Sequence, residues 1–253
     1  MRRRRGPPAT HEDRRASEAG WKGSGALKVV ALGLALALVN LAYYLAIDRL
    51  DLAVAIVLQY SAPALVVLWT ALVAKRRPSR RILFSLAAAL GGVILVSEVL
   101  AGDVGALDLF GIAMGFASAA LFATYTLLSE AAEAQYGAVT AVFRAFATAG
   151  VFWVFVQIPR GWPVALFEPE NVLPVLFVGV AGTLVPFLLF VWGVARIRSE
   201  RASIAATLEP VLAAVFAWIW LEQSLTFMQI CGGLLVIASV ASLQTTRRET
   251  PHP

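Results

Sequence analysis

Charge is scarce in this sequence, and so are the residues that most enzymes use for chemistry. Of 253 residues, 15% are charged and 59% are hydrophobic, with a mean hydropathy of +0.76. A soluble domain of that balance lacks the polar surface to cover its core. Cysteine occurs once, as Cys231 in an apolar run, so no intrachain disulfide forms and the redox compartment stays undetermined. The two histidines, His11 and His252, lie in the polar ends. A Cys/His metal site or a histidine-based triad inside the membrane is thereby excluded, and no metal, cofactor or catalytic residue is expected. GxxxxGK(S/T) is missing, and the GSG at 23–25 is too short for a phosphate loop, so the chain alone is not expected to drive transport with ATP. A clustered nucleophile with its base is missing too, which argues against an intramembrane enzyme.

Long apolar runs are what the sequence does have. Each is close to the roughly 20 residues that a membrane-spanning helix needs. None alternates with the period of two that a membrane barrel requires. Eight runs fit, over about 28–47, 52–74, 81–99, 108–129, 138–158, 172–195, 202–221 and 225–243. The expected fold is an all-α membrane protein of eight transmembrane helices. Residues 1–27 are basic, rich in Pro and Gly and poor in aliphatics, and read as a disordered cytoplasmic tail. They are too long for the basic region of a signal peptide, and the apolar run that follows is too long as well. Residues 244–253 form a second polar tail.

Orientation follows from Lys and Arg. With the N-terminus inside, 18 of the 21 lie on the inner side, while Arg49 and Arg160 lie outside and Arg144 falls within a span. That asymmetry places both termini in the cytoplasm of a multi-pass protein of the cell (plasma) membrane. The net charge of +5 is thus a matter of topology, and a nucleic-acid partner is not expected. The stretch SEAAEAQYG, read as the fourth-to-fifth loop, is acidic yet placed inside. Acidic residues carry little weight in the rule.

The seventh run, Ala202 to Glu222, carries Glu209 and Pro210 side by side. A charged side chain at mid-span costs about 2.5–3.5 kcal/mol on insertion scales, so it needs a partner, a watery cavity or a proton. The proline removes a backbone donor and bends the helix. Sliding the second and third spans onto the seventh and eighth by 147 residues sets Pro63 on Pro210, Ala55 on Ala202, Leu65 on Leu212, Ser79 on Thr226 and Val93 on Val240. The second span runs outward-in and the seventh inward-out. An inverted repeat, the plan of many secondary transporters, is expected.

The run LEPVLAAVFAWIWLEQSLTFMQICGGLLVIASVAS resembles the end of an EamA-type repeat of the drug/metabolite transporter superfamily. The matching features are Glu209–Pro210, Glu222 at the far end of the helix, and the Gly232–Gly233 helix. The resemblance implies a complete five-helix repeat over 108–243. It also implies the last three helices of a preceding repeat over 28–99. Such proteins usually have ten helices, five plus five, around a central pathway, so the first two are missing here. The implied function is secondary transport by alternating access, exporting small metabolites such as amino acids or drugs. The alternative is a truncated, non-transporting membrane protein that serves as an assembly or sensing partner.

Polar groups at mid-depth are the candidates for a substrate pathway, because lipid-facing positions stay apolar. They are Asn40, Tyr43 and Tyr44 in the first span, Gln59, Tyr60 and Ser61 in the second, and Thr124 and Tyr125 in the fourth. Arg144 in the fifth, Trp192 in the sixth, and Thr207 and Glu209 in the seventh complete the set. For each lone Tyr, Thr or Ser, a helix–helix hydrogen bond or an interfacial anchor is the commoner role. Pro63, Pro186 and Pro210 mark helix bends. Arg144 and Glu209 both sit roughly 10 Å below the inner face, counted at about 1.5 Å per residue. Equal depth and opposite sign raise the expectation of an ion pair. The competing reading has Arg144 snorkelling to the surface and Glu209 protonated. Gly111 and Gly115, extended by Ala119, form a close-packing motif that suits an internal contact or the seam of a homodimer, and the sequence leaves both open. The partners expected are the lipid bilayer and a small-molecule substrate.

Overall fold

The computed structural model describes residues 11–101 and 108–244, with side chains over 27–101 and 108–243. Every regular element among them is helical. The helices are α1 His11–Ile47, α2 Leu52–Gln59, α3 Ala62–Leu72, α4 Arg80–Val96, α5 Leu109–Tyr136, α6 Ala138–Gln157, α7 Pro169–Gly179, α8 Val185–Ile197, α9 Ser199–Ala206, α10 Leu208–Leu221 and α11 Phe227–Gln244. A π-helical turn, Val180–Leu184, joins α7 to α8, and a short 3-10 turn, Val164–Phe167, precedes them. Taken with their joints, these form a rod for each of the eight expected spans. Six rods are long and apolar enough to cross a membrane: Leu27–Ile47, Leu52–Leu72, Leu109–Tyr136, Ala138–Gln157, Pro169–Ile197 and Ser199–Leu221. The other two, α4 and α11, have 17 and 18 residues and pack against each other along their length.

The boundaries have local causes. Asp51 caps α2 by accepting from the Ala53 N–H at 2.8 Å, and Asp108 caps α5 by accepting from Gly111 N–H at 2.7 Å. Ser79 caps α4, accepting from Ile82 N–H. Thr226 and Gln229 form a capping box at the head of α11, each side chain accepting from the other's backbone N–H. Two expectations need correction here. The tail expected to be disordered through residue 27 is helical from His11 onward, as a continuation of α1; residues 1–10 and 245–253 lie outside the described residues. The acidic stretch after Ser129 is not a loop either. It forms the last two turns of α5, and only Gly137, at φ 75°, separates α5 from α6.

Apolar packing joins the rods through four buried clusters among the described residues. Leu32 and Leu36 of α1, Tyr125 of α5, Val142 of α6 and Val191 of α8 are fully buried together. Val93 and Val96 of α4, Val211 of α10 and Val236 of α11 form a second core, against which Ile56 and Tyr60 of the second rod pack. Outside these clusters, Phe143, Phe155, Leu189 and Trp220 are exposed. Such a surface suits a protein whose solvent is a bilayer. Backbones approach closely where α4 crosses α11, as they do where α1 meets α6 at Gly33. A Cβ on Gly92 would lie 2.8 Å from the Gly232 carbonyl oxygen, and one on Gly232 would lie 2.7 Å from that of Gly92. The α5 glycines settle the question left open by their spacing. Gly111 packs on Arg49 and Leu50, Gly115 packs on Leu58, and Ala119 is buried with Ala62 and Val66. The motif is an internal contact with the second rod and the connection that leads into it.

Candidate functional site

Two of the rods are broken at corresponding places. The second breaks at Tyr60–Ser61, between α2 and α3, and the seventh breaks at Thr207, between α9 and α10. Tyr60 and Thr207 stand 147 positions apart, as Pro63 and Pro210 do. The prolines explain the breaks. Each lacks an N–H, and its ring crowds the carbonyl one turn back, so the hydrogen-bond ladder opens just ahead of it. Nearby hydroxyls take up the slack. Ser61 Oγ donates to the Leu58 carbonyl and Thr207 Oγ1 to the Ile204 carbonyl, both at 2.6 Å. Pro186 acts differently. It stands in the first turn of α8, and the turn before it widens to the π form, with the Val185 N–H reaching back to the Val180 carbonyl.

The two breaks meet. The Tyr60 hydroxyl donates to Glu209 Oε2 at 2.8 Å, joining the second rod to the seventh across 149 residues of sequence. Tyr60 is half-buried, whereas Glu209 is exposed. The Tyr43 phenol of α1 lies within electrostatic reach of the same carboxylate. Beside it, Tyr44 packs against Tyr43 and against Trp153 of α6, with ring centroids 6.5 and 6.3 Å apart. Gln59 anchors the first break. Its amide donates to Ser118 Oγ of α5 at 3.0 Å, and Ser118 in turn donates to the Val39 carbonyl of α1.

Glu209 is not paired with Arg144. Arg144 points outward, its guanidinium 4.6 Å from the centre of the Tyr136 ring, where cation–π attraction holds it. Equal depth along two helices says nothing about which faces they turn to each other, and here the faces differ. Among the described residues Glu209 makes no ion pair, so its carboxylate retains unused acceptor capacity.

The remaining candidates divide. Tyr125 is fully buried among Phe122, Phe187 and Phe190 in the first core, so it lines no open pathway. Asn40 donates within its own helix, to the Leu36 carbonyl. Thr124 does the same, to the Ala120 carbonyl. Trp192 is half-exposed and lies under the Arg196 guanidinium at 3.8 Å, away from the Tyr60–Glu209 contact. Sequence reasoning gave Glu130 no role. Its carboxylate accepts from both the N–H and the hydroxyl of Ser199, capping α9. A polar residue 69 positions away carries no local sign of that partnership.

The EamA-like transporter family matches residues 9–98 and again residues 109–244, one match holding each broken rod. The chain belongs to that family. The threonine/homoserine exporter RhtA of Salmonella typhimurium (strain SL1344) is 32% identical over 225 residues, covering 88% of this chain and 73% of the relative. RhtA of Escherichia coli (strain K12) is 30% identical over 226 residues, with the same coverage. An uncharacterized inner membrane transporter, YicL, of Salmonella typhimurium (strain LT2) is 30% identical over 214 residues, covering 83% of this chain and 70% of its own. A crystal structure of another protein superposes with a TM-score of 0.71 at 19% identity, over 87% of this chain and 76% of that one. At that identity the likeness speaks for the fold. This EamA-family chain is a multi-pass membrane transporter by family and by helix content.

Proposed function

We propose that this chain is a secondary transporter that exports small metabolites, amino acids or related compounds or drugs, by alternating access. The observation that carries the reading is the Tyr60–Glu209 hydrogen bond between two proline-broken helices. A carboxylate held by a single phenol hydroxyl can take either a proton or the ammonium group of a substrate, since each satisfies it. Taking either one lowers the negative charge that Tyr60 bonds to, which weakens that hydrogen bond and loosens one broken helix from the other. Matched breaks, one in each family match, support an inverted pair of halves, 28–99 and 108–243, that rock about this contact. The relatives' names favour amino acids among the substrates. The charge asymmetry supports a plasma-membrane orientation with both termini in the cytoplasm.

The test is flux into proteoliposomes loaded with radiolabelled threonine, homoserine or other amino acids. We expect exchange of at least one of them, and a loss of about tenfold or more in Glu209→Gln, equivalent to about 1.4 kcal/mol. Tyr60→Phe should reduce flux less, because it removes one donor and leaves the carboxylate. Parent-like flux in Glu209→Gln would move the site elsewhere. A folded chain that moves no tested substrate would favour the non-transporting reading.

A further inference from the structure

At the arginine-rich end of the bundle the loop before α4 meets the elbow between α8 and α9. Between them lies a cleft of about 440 Å³. Five arginines line it: Arg76 and Arg77 from the loop, and Arg196, Arg198 and Arg201 from the elbow. Arg196 is already engaged, stacked on Trp192 and paired with Glu133 at 3.3 Å. The other four make no ion pair among the described residues. Glu200 is the single acid in the lining, too few to neutralise them. Ile82 and Ile197 give the cleft an apolar side.

We propose that this cleft binds a phosphate group, presented either by an anionic phospholipid of the adjoining leaflet or by soluble phosphate. Gathered guanidinia repel one another, and an anion between them removes that cost. Guanidinium forks match phosphate oxygens in bidentate geometry, which lysine does not reproduce. The bland account is that these arginines only set topology. That role needs them at this end of the bundle, in any arrangement. It does not need two loops, far apart in sequence, to converge on one cavity. Nor does it explain the backbone of Arg198, at φ 69° and ψ 158°, a region that glycine enters freely and other residues enter at a cost. Ser199, bound twice by Glu130, holds that strained elbow in place. Because the cleft takes one wall from each family match, a bound phosphate links the two halves at this end. The site is independent of the Tyr60–Glu209 contact.

The experiment is thermal unfolding of the purified full chain in detergent. Phosphatidylglycerol, phosphatidylcholine or inorganic phosphate is titrated at constant ionic strength. We expect Tm to rise with phosphatidylglycerol in a saturable way and to stay flat with phosphatidylcholine. A rise with inorganic phosphate alone assigns the cleft to a soluble anion, and the proposal stands. Arg198→Lys/Arg201→Lys and Arg76→Lys/Arg77→Lys keep the charge and the topology signal but lose the fork. Each should weaken the apparent affinity about tenfold, whereas Arg144→Lys, outside the cleft, should not. Parent-like affinity in both double variants would mean diffuse charge attraction and would overturn the site, as would a flat Tm with every anion.

Discussion

Arg144 and Glu209 show how little depth alone decides. Both are the kind of charge that demands a partner in a span, and they find different ones. Arg144 lies over Tyr136, and Glu209 accepts from Tyr60. A double-mutant cycle should therefore be additive. The effects of Arg144→Ala and Glu209→Ala on thermal unfolding in detergent should sum to that of the double variant within about 0.5 kcal/mol. A coupling energy well beyond that margin would restore the ion pair. Tyr125 teaches the same lesson for a polar aromatic. Its position in the fourth span is compatible with a pathway, yet its ring fills the core beside Phe187 and Phe190.

Helices give the sequence its most legible features and also its main functional device. The prolines that break the second and seventh rods are visible in the chain, and the breaks fall one turn ahead of them. Pro210→Ala should straighten the seventh rod. Transport should slow more than expression falls, and equal transport in the variant would remove the break from the cycle. The contact of α4 with α11 depends instead on a missing side chain. A Cβ on Gly92 would come within 2.5 Å of Val236 Cγ2 and 2.8 Å of the Gly232 oxygen. Gly92→Val should therefore separate the helices at a cost of about 1–3 kcal/mol, read as a lowered Tm. Gly91, which faces only Leu235 at 3.7 Å, should tolerate alanine.

For the molecule as a whole, the ends of the bundle differ in charge. One end carries the arginine cleft, while the other carries the Glu98 carboxylate bound by Thr226 and Gln229, which ties α4 to the head of α11. Reporter fusions after Arg81 and after Arg201 should both read cytoplasmic, and a fusion after Gly105 should read external. A reversed result at any of the three positions would overturn the orientation.

The sequence by itself determined that this chain is a bundle of membrane helices and that the second and seventh of them break ahead of Pro63 and Pro210. Those properties follow from run length, caps and prolines, which act within a few residues of where they are written. The family was legible for the same reason, through Glu209–Pro210 and the glycine pair that follows it. Only the tertiary structure decided which polar groups face one another. It joined Tyr60 to Glu209, sent Arg144 outward, buried Tyr125 and gave Glu130 to Ser199. It also turned the α5 glycines inward and gathered two arginine loops around one cleft. A helix's rotation about its own axis is set by the sum of all its contacts, most of them distant in the chain. No local pattern records that rotation.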